Sequence, residues 1–236
     1  MKVVLFCGGM GLRLREHTVA TPKPMMKIGD RPILWHLMKY YAHFGHTEFV
    51  LCLGWMGNVI EEYFVNNDEC NNWNITFVDT GQNALVGERL KTVQPYLDGE
   101  DAFLANYADG LSDLPLAELI GEFRQCDVVA ACACVKPSQS FHLVDVDAGG
   151  FAADITPISE AGHWMNGGFF VFKREVFDYL ETGEDLVAQP FRRLIDRRQL
   201  YAHRHPGFWG CMDTYKEMKM LDDMYLRGDA PWEVWR

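Results

Sequence analysis

Apolar and polar positions along the chain follow two periods, and the two periods take turns. Lys2 to Phe6 reads as a buried strand, its apolar residues unbroken from Val3 onward, the pattern of a strand covered on both faces. The stretch "GDRPILWHLMKYYAHFG" then shifts to a 3.6-residue period, with Ile33, Leu34, Leu37, Tyr41 and Phe44 on one stripe. Asp30 is the expected N-cap, Pro32 lies in the first turn and Gly45 is the stop. "EFVLCLG" and "NITFVDTG" read as strands on either side of the helix "NVIEEYFV", and "DAFLANYADG" as a strand running into an acidic loop. "DVVAACACV", "FHLVDVD" and "GFFVF" add further strands, and "DTYKEMKMLDDMYLRG" closes as a helix capped by Thr214 and Glu217 and ended by Gly228. Alternation of this kind predicts an α/β sandwich with a largely parallel sheet. No repeat, low-complexity tract or clear linker interrupts it, so one domain over residues 1–236 is expected.

Composition narrows the class of function. A formal net charge of -11 argues against general binding to nucleic acid or an anionic membrane. The charge is uneven, however: the first 40 residues carry seven basic side chains against two acidic ones, so a small polyanion is drawn to that end. Seven cysteines without C-x-x-C or Cys/His metal spacing, with Cys132 and Cys134 alternating in an apolar run, look like small strand residues in a reducing compartment. No apolar stretch approaches the roughly 18 residues of a membrane span, and a soluble cytoplasmic protein is expected.

The basic end has its own chemistry. "LFCGGMGLRLREHTVATPKPM", residues 5–25, places three glycines, two arginines and a proline-flanked lysine behind the first strand. It is neither a dinucleotide fingerprint, whose third glycine would fall on Leu14, nor a Walker A loop, which needs Gly-Lys-Ser/Thr. Gly8, Gly9 and Gly11 let backbone N–H groups approach a ligand closely, and an anion is the natural guest. Arg13 and Arg15 follow, while Pro22 and Pro24 restrict where the Lys23 ammonium can point. In open α/β sheets ligands sit beyond the carboxyl ends of strands, where the loops at Gly8, Gly81 and Asp109 emerge.

Seven motifs in order, "GGMGLRL", "TPKPM", "GDRPILWHLMKYY", "VDTGQN", "ADGLSD", "WMNGGFFVF" and "GFWGCMDT", resemble the sugar-1-phosphate nucleotidyltransferases, and among them the glucose-1-phosphate cytidylyltransferases. The resemblance spans nearly the whole chain. It implies a Rossmann-like three-layer sandwich with a mixed, mostly parallel central sheet. It also implies Mg2+, a nucleoside triphosphate such as CTP, a phosphorylated small-molecule acceptor such as glucose 1-phosphate, release of pyrophosphate, and often a homo-oligomer. The apolar tail "APWEVW" is a candidate subunit contact.

Carried onto this chain, the resemblance sets the nucleotide over the strand end at Leu5 and the Gly8, Gly9 and Gly11 loop. Lys23 approaches its phosphates as the first catalytic candidate, and Arg13 leans on the leaving pyrophosphate. The acceptor phosphate is already ionised at pH 7, so no general base is required, and none is found. Asp109 and Asp213 match the metal-binding pair; taken singly, each also reads as a turn aspartate or a helix cap. Base choice is assigned to "VDTGQNALVGERL": Thr80, Gly81 and Gly87 for close backbone contact and Arg89 for the acceptor edge of cytosine, the alternative being Arg89 on a solvated face.

The acceptor side departs from the family pattern. Ser140 stands where an arginine is common, and no lysine lies between Lys136 and Lys173. Asn166 and Gly167 survive for the sugar, and His142 and His163 occupy the altered segments as candidate replacements. A nicotinamide oxidoreductase lacks its third glycine, and a metal-dependent glycosyltransferase gives no reason for the Arg13 and Lys23 pair. A nucleotide-binding regulator without turnover stays open, because the acceptor side is altered.

Overall fold

Thirteen strands and six helices are described in the computed structural model, which covers residues 1–9, 21–137 and 141–236; Gly11, Arg13, Arg15 and Ser140 lie outside the described residues. The strands are β1 (Val3–Phe6), β2 (Lys27–Ile28), β3 (Arg31–Pro32), β4 (Glu48–Leu53), β5 (Asn74–Asp79), β6 (Ala102–Tyr107), β7 (Gly110–Ser112), β8 (Ala130–Val135), β9 (His142–Val146), β10 (Ala152–Pro157), β11 (Met165–Lys173), β12 (Leu200–His205) and β13 (Trp209–Cys211). The helices are α1 (Ile33–His43), α2 (Gly57–Val65), α3 (Val86–Thr92), α4 (Leu116–Cys126), α5 (Gln189–Asp196) and α6 (Tyr215–Leu226).

Seven strands form one sheet in the order β12-β8-β11-β6-β1-β4-β5. All neighbours pair in parallel except β11, which runs antiparallel to both β6 and β8. The uninterrupted apolar run of β1 follows from this position. Val3 and Leu5 enter a core under α1, α2, α4 and α6, and Val4 and Phe6 enter a second core under α3 and α5. The mixed three-layer sandwich expected from the family resemblance is therefore present.

Two local expectations are corrected, and the tail gains partners within the chain. The first helix starts at Ile33, because Arg31 and Pro32 are extended and pair with Lys27 and Ile28; Asp30 instead accepts a hydrogen bond from the Tyr225 hydroxyl at 2.8 Å. The apolar tail packs on its own chain: Trp232 is fully buried, its indole N–H donates to His36 Nδ1 at 3.4 Å, and Trp235 stands edge-on to Trp35. The strand expected at "FHLVDVD" pairs only with β10 and stands off the sheet, leaving Val144, Val146 and Ile155 exposed. Among the described residues no helix is long and apolar enough to cross a membrane.

Candidate functional site

Asp109 and Asp213 are brought together by the short ladder between β7 and β13. Cys211 pairs with Gly110 and Trp209 with Ser112, so the residue before β7 and the residue two past β13 end side by side. A backbone bond from Met212 N–H to the Asp109 carbonyl, 2.9 Å, closes the junction. Asp213 is held from the other side by a capping box, in which Thr214 caps α6 and the Glu217 carboxylate accepts from the Asp213 N–H at 2.9 Å. Asp213 is thus not the helix cap; Thr214 is.

Lys23 completes the cluster. Pro22 and Pro24 shape a single 3₁₀ turn over Lys23–Met25, which aims the lysine inward. Its ammonium donates to Asp109 Oδ2 at 2.5 Å and to Asp213 Oδ1 at 2.7 Å. Burial alone would pull the Lys23 pKa down, but the two carboxylates outweigh it and hold it above the ordinary lysine value. The lysine is therefore charged at any working pH.

The fit of a divalent cation to this cluster can be judged from its donors. Asp109, Asp213 and Cys211 each offer one atom within 4.8 Å of the others. The Cys211 thiol is pushed well up, first by burial and then by the neighbouring carboxylates, so it stays protonated. A neutral thiol is a poor ligand for a hard ion, whereas two carboxylates completed by phosphate oxygen suit Mg2+. Asp109 and Asp213 are the residues that could hold it.

Beside this cluster a cavity of about 500 Å³ opens past the carboxyl ends of β1 and β6. Gly9, Lys23, Tyr107, Asp109, Asp185 and Asp213 line it, together with the 82–86 segment and Arg89. Leu5 lies in the core below, fully buried. Gly8 and Gly54 meet where the loops after β1 and β4 converge: a methyl on Gly54 would fall 2.6 Å from the Gly8 carbonyl oxygen, and one on Gly8 would overlap the Arg89 guanidinium.

Arg89 is the tie behind that convergence. Its two terminal nitrogens donate to the carbonyls of Leu53, Gly8 and Gln82 and to the Thr80 hydroxyl, at 2.7 to 3.2 Å. The donors expected at the base edge are thus occupied by protein oxygens, and Arg89 is neither on a solvated face nor a free hydrogen-bonding group. Thr80 is likewise committed, donating its hydroxyl to the Leu53 carbonyl at 2.7 Å, while Gly81 turns the chain at φ 89°. Gly87 is needed for a different contact than expected: a methyl there would fall 2.5 Å from the Glu184 carbonyl oxygen.

On the acceptor side, Asn166 is the second residue of β11 and accepts from the Gly168 N–H at 2.9 Å. The Gly167 carbonyl accepts from the Trp209 indole at 2.8 Å. His142 and His163 are exposed and do not line the cavity; His142 sits on the hairpin that stands off the sheet. Two residues that the sequence reading missed are Tyr107 and Cys211. Each sits two positions before a candidate metal ligand, a strand-like spacing that places them beside it.

A family model described as nucleotidyl transferase matches residues 2–220. The chain is 36% identical to the glucose-1-phosphate cytidylyltransferase of Salmonella typhi, with both chains covered in full. Among solved structures, a UDP-glucose pyrophosphorylase aligns with a TM-score of 0.76 at 15% identity, covering 97% of this chain and 99% of that one. HddC from Yersinia pseudotuberculosis, complexed with GMP-PN, aligns with a TM-score of 0.72 at 19% identity, covering 95% and 99%. At those identities the two structures speak for the fold alone.

Proposed function

From the premise that the chain belongs to the nucleotidyl transferase family, we propose that it moves CMP from CTP onto a sugar 1-phosphate and releases pyrophosphate, with glucose 1-phosphate as the default acceptor. The observation that carries this reading is the Lys23 ammonium held by Asp109 and Asp213 at the mouth of a cavity floored by the Gly8–Gly9 turn. Full-length identity to the Salmonella enzyme supports the choice of CTP and of a sugar phosphate.

An ionised oxygen of the acceptor phosphate attacks the α-phosphorus of CTP. A new P–O bond forms there as the bond to the bridging oxygen of the β-phosphate breaks, and pyrophosphate leaves with that electron pair. No protein side chain has to remove a proton. The obstacle is repulsion among anions, so alignment and charge neutralisation do the catalysis. Asp109 and Asp213 would hold Mg2+, which would supply Lewis acidity at the phosphates. Lys23 neutralises developing charge at the phosphates, the N–H groups of the glycine turn receive phosphate oxygens, and the 82–86 segment takes the base. Arg89 fixes the loops that form this floor.

The test is to offer the four nucleoside triphosphates with Mg2+ and a panel of sugar 1-phosphates and to measure pyrophosphate. CTP is expected to give the highest turnover. A protein that binds CTP but releases no pyrophosphate with any acceptor is a regulator, and that result overturns the proposal.

A further inference from the structure

Two cations common at the acceptor site of the family are missing from their usual places, yet the same edge of the sheet carries two others. Lys136 follows the last residue of β8, Arg204 lies on β12, and Trp164 immediately precedes β11. The Lys136 ammonium stands 4.4 Å and the Arg204 guanidinium 5.7 Å from the centroid of the Trp164 ring. Because β8 and β12 run in the same direction as β6, and β11 in the opposite one, all three residues lie at the edge where the cavity opens.

The register fixes which face they share. Cys134 is the ladder partner of both Asn166 and Arg204, and β11, which carries Asn166, pairs on its other side with β6, which ends at Tyr107 in the cavity wall. Arg204 stands directly opposite Cys134 across the β8–β12 ladder. A continuous row therefore runs from Tyr107 through Asn166 to the two cations. Among the described residues neither cation has a carboxylate within 4 Å, although the chain holds 33 acidic residues. Cation–π contact keeps both heads on one ring without neutralising them.

We propose that Lys136 and Arg204, positioned by Trp164, bind an anionic substituent of the acceptor at the end away from its reacting phosphate. The ligand class is a phosphorylated sugar carrying a second acidic group, either a carboxylate or another phosphate. This inference rests on the nucleotidyl-transfer reading above. Distance separates it from simple replacement of the missing phosphate cations. The reacting phosphate has to meet Lys23, Asp109 and Asp213, just past the end of β6. From β6 the β8 strand is two strand spacings away, roughly 10 Å, and β12 is three, roughly 14 Å. An acceptor laid from Asp109 past Tyr107 and Asn166 brings its far substituent to the cations. A sugar with a single phosphate leaves them facing water.

The experiment compares three acceptors with CTP and Mg2+: glucose 1-phosphate, glucuronic acid 1-phosphate and glucose 1,6-bisphosphate. One of the two doubly acidic acceptors is expected to exceed glucose 1-phosphate in kcat/KM by at least tenfold, and which one does so distinguishes carboxylate from phosphate. Lys136→Ala and Arg204→Ala are each expected to cut that advantage to below threefold, Arg204→Glu to abolish it, and Lys136→Arg to retain it. The same acceptors are titrated by calorimetry without CTP, where the ranking and its loss in the variants should recur. If no acceptor releases pyrophosphate but the binding preference and its loss persist, the nucleotidyl-transfer reading falls and the anion site stands. If the wild type turns over glucose 1-phosphate as well as the doubly acidic acceptors, or the preference survives in the alanine variants, the anion site is overturned and the enzyme reading stands.

Discussion

The half of the site proposed for the nucleotide and the half proposed for the acceptor are built in opposite ways. On the nucleotide half one buried guanidinium gathers oxygens from three strand ends, and the loops after β1 and β4 touch so closely that a methyl on Gly54 would meet the Gly8 backbone. On the acceptor half Asn166 and Arg204 are exposed, and the β9–β10 hairpin holds no place in the main sheet. The triphosphate must be held to within about 1 Å for in-line attack, which demands a wall tied through the core. An acceptor can be changed by exchanging exposed side chains at strand ends without disturbing that core. The contrast explains how a shared phosphate chemistry coexists with the altered acceptor segments of this chain.

The hardest blow to the contrast comes from its shared centre. Asp109→Asn and Lys23→Gln are each expected to lower pyrophosphate release about 1,000-fold while CTP still binds by calorimetry. Loss of binding without a matching loss of turnover would remove Lys23 from the reaction. Next is the tie of the nucleotide half. Arg89→Met removes four hydrogen bonds made by one buried guanidinium, and a loss of about 3 kcal/mol is expected in urea unfolding. Gly8→Ala, whose methyl would displace the guanidinium, should reproduce part of that loss. A near-neutral Arg89→Met would mean that the two halves are equally loose.

A smaller effect tests the packing behind α1. His36 is buried, with its Nε2 2.9 Å from the Ile28 carbonyl, and burial pulls its pKa down to about 4 from the ordinary value near 6.5. The unfolded chain therefore binds the proton that the folded chain refuses. This contribution is complete above about pH 6.5 and is lost as pH falls toward 4, with about 2 kcal/mol gone by pH 5. His36→Gln should flatten that part of the stability profile. The smallest effect sharpens the acceptor half: His142→Ala and His163→Ala are expected to change kcat/KM for any acceptor by less than twofold, since neither side chain reaches the cavity.

Much of the nucleotide half was legible in the sequence because its residues are consecutive. The apolar run of β1, the glycines after it and the Pro-Lys-Pro turn each carry a local backbone requirement, and the turn sets Lys23 against Asp109 and Asp213. Asp109 and Asp213 were found through the resemblance; the ladder that joins them, β7 with β13, is three residues long and leaves no periodic signal. Arg89 was found as a site residue, but its partners were not. Hydrogen bonds from one side chain to carbonyls at Leu53, Gly8 and Gln82 depend on tertiary packing, and carbonyls look alike in every sequence. The tail shows a related limit: an apolar segment announces that it will be covered, without saying by what, and within the chain α1 covers Trp232. Lys136, Trp164 and Arg204 lie in three distant segments and meet only because β8, β11 and β12 are neighbours.

The seat of Trp232 against His36 also sets an order of events during synthesis. The partners are 196 positions apart, so the helix bearing His36 can be made and shaped long before its indole lid exists. Until residue 232 is translated, the nascent chain displays the apolar patch that this tryptophan seals. A chain cut short of residue 232 would keep Lys23, Asp109 and Asp213 and leave that patch uncovered.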